Sequence, residues 1–401
     1  MNAKIIQAIR KNIIMRTYNH LYEKTLLIDN IKTAIYDAAK HKHKRRDVQR
    51  VLGNIDEYAK RVHGMLSDHS FEPSPYVGHI TRDGSKNKER EIAKPKYCYD
   101  QIMAHVLIQQ LKPIILKSMY HHVYGSLEGK GQLQVKKTLE KWIKNDPTGT
   151  KYVGQGDVRH FYPSVDQSIL SEKLHNKIKD KDFLLECDKF VFRADSGLAL
   201  GDPTSVWYGH FYLEELDHFI VGLDGVDHYL RLMDDWVILG HNKKKLHKAM
   251  NEIRSYMFEK LNLQLKFNYQ IFRLDWIDKN GNHQGRFLDI DGFRFYRDRT
   301  ILRKNIMIHA TRKANRITEK ERATVHDARQ MMSHLARFKT ADTYNVYESY
   351  IKGKVKPKLL RKTISTYDRK ERTKWSGNMS RDIRQVDRKK STLSQAQQLH
   401  T

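Results

Sequence analysis

Two apolar runs with a pair of acids wedged between them, HYLRLMDDWVIL at residues 228–239, constrain this chain more than any other stretch. Tyr229 to Met233 and Trp236 to Leu239 read as strands, and Asp234-Asp235 between them marks a tight hairpin turn. Asp is poor in strands and adjacent carboxylates repel, so the arrangement calls for an offset such as a bound cation. Taken alone, the same pair could serve an ordinary exposed turn, where Asp supplies turn chemistry.

A third acid weakens that bland reading. In KYVGQGDVRHFYPSVD, Tyr152 and Val153 lead along a strand to Asp157, and an acid at a strand end is placed to project into a cleft. Three carboxylates converging at strand ends can hold two magnesium ions ~3.5–4 Å apart, the geometry that activates an attacking hydroxyl and steadies a leaving phosphate. Magnesium prefers a few carboxylates plus substrate phosphates to a closed protein cage, with Mn2+ as a substitute.

Charge narrows the partner. Lys and Arg number 74 against 47 Asp and Glu, a net +27 over 401 residues. That excess repels itself, and a polyanion is the economical explanation, although charge alone does not separate a polymerase from a basic RNA-binding module. The length suffices for two or three subdomains around one site. Cys98 and Cys187 stand far apart without a C-x-x-C spacing, which supports neither a zinc site nor a disulfide framework and fits a reducing cytoplasm. The basic, amphipathic start MNAKIIQAIRKNIIMR is too short and broken for a signal peptide or a membrane span, and no later stretch is long enough, so no membrane association is expected.

Along the chain, residues 17–66 read as helices. Leu21, Leu26, Leu27, Ile31, Ala34 and Ile35 recur at helical steps, and the pattern resumes from Val48 to Met65. The intervening KHKHKRRDVQR is either a solvated turn or a nucleic-acid contact. Residues 70–100 read as two strands joined by a basic hairpin loop, in which Arg90 and Lys94 face one side and could grip a triphosphate. A long helix follows, with Ile102, Met103, Val106, Leu107 and Leu111 on one face and Pro113 marking its end or a kink. GSLEGK, at 125–130, lacks P-loop spacing, which argues against a nucleotide hydrolase.

From 151 to 300 strands and helices alternate as in a mixed sheet with helices on one face. Beyond about 303 the chain is basic and helical to about 352. The final KKSTLSQAQQLHT has too few apolar residues to pack and reads as disordered or partner-bound.

These segments resemble those of bacterial reverse transcriptases over about residues 70–310. DVRHFYPSVD resembles the family's first metal motif, GLALGDPTSVWYGHFYLEELDHF its template- and nucleotide-binding motif, and LMDDWVIL its double-aspartate hairpin, in the right order and spacing. The resemblance implies an α+β right-hand fold. Its parts would be an N-terminal helical extension (1–68), fingers (69–150), a palm carrying the catalytic site (151–300), a short helical thumb (301–375) and a basic tail (376–401). It makes Asp157 and Asp234 metal ligands, Asp235 a supporting acid at the same site, and the Val158 carbonyl part of one metal's shell. Tyr162 matches a steric gate that would clash with a ribose 2′-hydroxyl, so that the product is DNA; core packing against Phe161 is its alternative. LNLQLKFNYQIF resembles the motif with a lysine near the leaving pyrophosphate, here Lys266. FLDIDGFRFYRDRTILRKNI resembles the hairpin that grips the primer.

Most of the family carries Gln before the Gly of the second motif, where this chain has Leu200 and Gly201 in the nucleotide-binding site. An aliphatic residue there resembles the enzymes of diversity-generating retroelements, which copy a template RNA with errors at adenine. Losing an orienting hydrogen-bond donor lowers discrimination, so low fidelity is expected. Those enzymes usually continue G-x-x-x-S-Q, whereas Val206 stands here in place of the Gln. The resemblance implies a template RNA, a DNA or RNA primer, deoxynucleoside triphosphates and possible need of a small basic accessory protein. Rival readings are an antiphage-defence reverse transcriptase, a catalytically silent RNA-binding palm protein, and a group II intron maturase. The maturase is disfavoured by the expectation that the chain ends before DNA-binding and endonuclease extensions.

Overall fold

A computed structural model describes residues 17–83 and 88–376; the amphipathic start, the loop at 84–87 and the tail from 377 lie outside the described residues. The chain divides into two compact units, residues 1–288 and 289–401.

After a single helical turn at Tyr22–Thr25, the first unit has helices α1 (Ile28–Ala39), α2 (Arg46–Gly53) and α3 (Ile55–Ser67). Ile31, Ala34, Ile35 and Val48 are buried as their helical spacing predicts, but Leu27 is 56% exposed. Its backbone is extended just ahead of α1, so it stands off the apolar stripe that the helix buries. Strands β1 (Gly78–Asp83) and β2 (Lys88–Ala93) then pair antiparallel. Helix α4 (Ile102–Ser118) follows and buries Ile102, Met103, Val106, Leu107 and Leu111. Pro113 neither ends this helix nor stands near its start. The helix runs on to Ser118 with Ile114 and Ile115 buried behind the proline, and that burial offsets the one lost N–H bond.

After β3 (Val123–Tyr124) and α5 (Gln132–Asn145) come β4 (Tyr152–Asp157), α6 (Gln167–Lys177), α7 (Lys181–Val191) and α8 (Pro203–Val221). Next come β5 (His228–Leu232), β6 (Asp235–Gly240), α9 (Lys243–Leu261) and β7 (Gln270–Arg273), and a short antiparallel ribbon, Trp276–Ile277 with His283–Gln284, follows within the unit. The sheet order is β3-β5-β6-β4-β7. Only β3 and β5 run parallel, so the sheet is mixed and the fold α+β. Asn242 and Asp202 cap α9 and α8 with their side-chain oxygens, and Pro203 occupies the first turn of α8, where no N–H is needed. Tyr208, Tyr212, Leu213, Leu216, Ile253 and Met257 of these two helices share one apolar core with Tyr229, Trp236 and Ile238 of the sheet.

From the boundary at residue 288 onward, β8 (Leu288–Ile290), β9 (Phe293–Phe295) and β10 (Thr300–Leu302) form a small sheet. Helices Lys304–Thr318, Val325–Phe338, Tyr344–Tyr350 and Pro357–Ser376 follow, so helical structure extends well past 352. Thr324 and Asp327 form a capping box, and the Asp327 carboxylate also takes Lys313 and Lys320, both at 2.6 Å. These ammonium groups hold it well below the usual carboxylate range.

Candidate active site

Strand pairing brings the three acids together. Strands β4 and β6 are antiparallel with Asp157 directly opposite Asp235. Leu232 pairs with Asp235 across β5 and β6, which leaves Met233 and Asp234 as the two-residue turn. Met233 has φ +58°, the positive value that primed hairpin turns need at their first central position. The Val158 N–H donates to the Asp234 carbonyl at 3.3 Å, which fixes the turn against the end of β4. Opposite Trp236, β4 carries Gly156; a Cβ there would lie 2.1 Å from the indole. Only glycine lets the indole lie flat across the strand next to the acids.

Electrostatics mark the cluster as unfinished. Asp157 Oδ1 is buried without a hydrogen-bond partner among the described residues, while Oδ2 is held by the Lys266 ammonium. Burial raises the Asp234 carboxyl, and the charge of Asp157 adds to it. Asp235 is pushed up to about 7 by desolvation, then by the charges of Asp157 and Asp234, with Lys266 pulling the other way. Because Asp235 is exposed along the hairpin, water offsets part of that desolvation and like-charge repulsion is the more durable cause. An orphaned buried carboxylate oxygen beside two crowded acids, all hard oxygen donors, fits Mg2+ or Mn2+.

The remaining expected residues fall at varied distances from this cluster. Val158 is buried and bridges Leu265. Lys266 is tied twice to Asp157, through its ammonium and through its N–H to the Asp157 carbonyl at 3.0 Å. Tyr162 stands in a short helix after Asp157 with its ring 5.3 Å from that of Phe161. Its phenol is raised to about 12 by burial and by the Asp234 charge, which puts it within electrostatic reach of the acids. Arg90 on β2 likewise lowers Asp234. Lys94 follows the last residue of β2, and its N–H donates to the Val77 carbonyl at 3.1 Å, which carries the β1–β2 register of Gly78 opposite Ala93 one pair further.

Leu200 and Gly201 meet the same strand. The Ala93 N–H donates to the Leu200 carbonyl at 2.7 Å. Gly201 has φ +107°, and a Cβ there would lie 2.4 Å from the Ala93 carbonyl oxygen. This glycine is required by backbone approach as well as by conformation.

Sequence reasoning missed two buried ionic networks. Arg193, its side chain 2% exposed, bonds Asp100 at 2.7 Å and Asp202 at 2.9 Å, and donates to the Ser74 carbonyl. It thereby joins the segment before β1, the turn before α4 and the cap of α8. Arg231 forms a two-pronged pair with Asp217, which also accepts from Tyr229. An Arg in the middle of an apolar strand was the available signal, because such a residue needs a buried acid. Arg159, two residues past Asp157, lies over the ring of Phe267, which is 89% exposed beside Lys266.

No family model matches the chain. It is 25% identical over 182 residues to the group II intron-encoded protein LtrA of Lactococcus lactis subsp. cremoris, and equally to that of strain MG1363. The similarity covers 43% of this chain and 29% of those proteins, so the chain spans under a third of the curated relatives it matches. Among solved structures it is similar to apo telomerase from Candida tropicalis, truncated from the C-terminal domain, at 12% identity and a TM-score of 0.42, over 60% of this chain and 58% of that one.

Proposed function

We propose that the chain is an RNA-directed DNA polymerase, with the carboxylates of Asp157 and Asp234 and the carbonyl of Val158 holding two divalent cations and Asp235 supporting them. The observation that carries this reading is the register that sets Asp157 opposite Asp235 with Asp234 at the intervening turn. Similarity to an intron-encoded protein supports it. A bound pair of Mg2+ ions supplies activation of the primer hydroxyl and neutralisation of the leaving phosphate.

The chain's own residues do the rest. Arg90 and Lys94 hold the triphosphate, Lys266 stands beside the departing pyrophosphate, and Tyr162 closes the space under the sugar so that a 2′-hydroxyl is excluded. Leu200 and Gly201 form the floor under the base. Without an amide at Leu200, mismatched pairs are rejected less strongly and copying is error-prone, as suits a diversity-generating retroelement.

With Mg2+, an RNA template, a primer and deoxynucleotides, the protein makes DNA. Asp234→Ala reduces synthesis at least roughly a thousandfold. The melting temperature of that variant stays level or rises, since one of three repelling charges is gone. Full synthesis by Asp234→Ala, or none by the parent chain with a primer supplied, sinks the reading.

The likeness to group II intron-encoded proteins favours a second reading of the template, a structured intron RNA. Sequencing the RNA that co-purifies with the chain separates the two: a near-duplicate of a variable gene supports the retroelement, and a self-folding intron supports the second reading.

A further inference from the structure

We infer that Arg231 and Asp217 form a buried positioning device that sets the Asp234 turn for cation binding; this rests on the reading above. Arg231 is 1% exposed and Asp217 is fully buried. Nε and Nη2 of Arg231 donate to the two Asp217 oxygens, each at 2.6 Å, and the Tyr229 hydroxyl donates to Oδ1 at 2.6 Å. The remaining guanidinium nitrogen, Nη1, donates to the Met233 carbonyl at 2.8 Å.

Met233 immediately precedes Asp234 and holds φ +58°, a conformation that residues other than glycine rarely adopt. Its N–H is fixed as well, donating to the Tyr124 carbonyl at 3.2 Å. Both peptide groups of Met233 are therefore clamped, one by strand β3 and one by a guanidinium whose plane is locked on Asp217. That lock sets the direction in which Asp234 leaves the turn.

Stability alone is a poor reason for such a pair. Two charges in a core lose hydration that their attraction barely repays, and apolar residues of like volume often serve as well or better. An alkyl side chain would fill the space, but it could not reach out to a turn carbonyl. A planar fork can do both at once, holding the acid with two prongs and the hairpin with the third. Arg231 is thus a positioning residue, acting on the cation site through Met233.

The test uses the full chain and Mn2+ alone, titrated by electron paramagnetic resonance without nucleic acid or nucleotide, with Asp234→Asn defining the share bound at the turn. Two variants are compared with the parent. Arg231→Lys keeps the charge but cannot span both partners. The triple variant Arg231→Met, Asp217→Leu, Tyr229→Phe removes the buried polar groups together, so the core stays paired and packed.

In folded variants, Mn2+ binding at the turn weakens about tenfold or more, as when support for a metal ligand is removed. The rate of synthesis falls in step, while the KM for deoxynucleotide and the affinity for primer–template duplex hold within about twofold. A folded triple variant with parental Mn2+ affinity and rate overturns the inference. So does failure of both variants to fold, because the pair would then serve the core alone. Arg231-dependent Mn2+ binding in a parent chain that makes no DNA would leave this inference standing and remove the polymerase reading.

Discussion

At the scale of single residues, what the site can do turns on side chains that are small or uncharged where larger or polar ones are expected. Leu200 is the clearest case. Its carbonyl is fixed by the Ala93 N–H, so a substitution changes the side chain at the proposed nucleotide site while that backbone bond stays available. Leu200→Gln should restore an amide donor and lower misincorporation opposite template adenine by roughly tenfold, the worth of one modest hydrogen bond. Sequencing products from a defined RNA reads this out, and an unchanged error spectrum removes Leu200 from the fidelity argument. Gly156 makes the complementary point about stability. A methyl group there would meet the buried indole of Trp236, so Gly156→Ala should cost about 1–3 kcal/mol of unfolding free energy, measured by chemical denaturation. Equal stability would mean that the indole moves aside. The acids are legible in the sequence because carboxylates are costly in strands and stand out against apolar neighbours. Gly156 is not legible in the same way: its partner Trp236 lies on another strand, and a period of two records which face a residue takes but not what it meets across the sheet.

At the scale of elements, helix α8 is joined to the sheet region through a buried imidazole. His210 is 1% exposed, its Nε2 donates to the Gly125 carbonyl at 3.1 Å, and its Nδ1 has no partner among the described residues. Burial lowers its pKa to about 3, with the Arg231 charge acting in the same direction. A folded-state value below the ordinary one near 6.5 means that the unfolded chain takes the proton first. The contribution is therefore fully present above about pH 6.5 and is lost as pH falls towards the folded value, at up to about 1.4 kcal/mol per pH unit. Denaturation midpoints between pH 7.5 and 5.5 should show this fall, and His210→Gln should make it shallower, with the half-buried His105 and His122 supplying the rest; the same slope in both proteins would exclude His210 as a source. The helices themselves follow from apolar spacing, as Ile102 to Leu111 of α4 show. Their extents do not follow so readily. Pro113 reads as an end or a kink because the lost N–H bond is a local cost, whereas the burial of Ile114 and Ile115 that lets the helix run on is a tertiary gain. The Arg193 network escapes notice for a related reason: Ser74, Asp100 and Asp202 are scattered in sequence, and only the fold makes them one shell.

At the scale of the whole molecule, the excess of 74 basic over 47 acidic residues is the most legible property and the least specific. A mixed sheet with its acids at one end is implied by the order of apolar runs, yet the division at Leu288 has no composition signal, because basic and apolar residues continue through it on both sides. What the charge does fix is how the protein should respond to salt. A duplex or single strand that surrenders condensed counterions to Lys and Arg binds with a logarithmic salt slope of about −0.7 to −0.9 per phosphate neutralised. If six to ten phosphates are engaged, affinity for a primer–template duplex should fall by roughly a thousandfold or more between 50 and 200 mM salt. Fluorescence anisotropy across that range measures the slope directly. Asp234→Ala, tested without divalent cations, should bind at least as tightly as the parent with the same slope, because it removes a negative charge and no phosphate contact. A slope corresponding to one or two phosphates would mean that the positive charge is spread over surfaces that never meet the nucleic acid, and a net +27 would then not imply a polyanionic partner even if the chain made DNA.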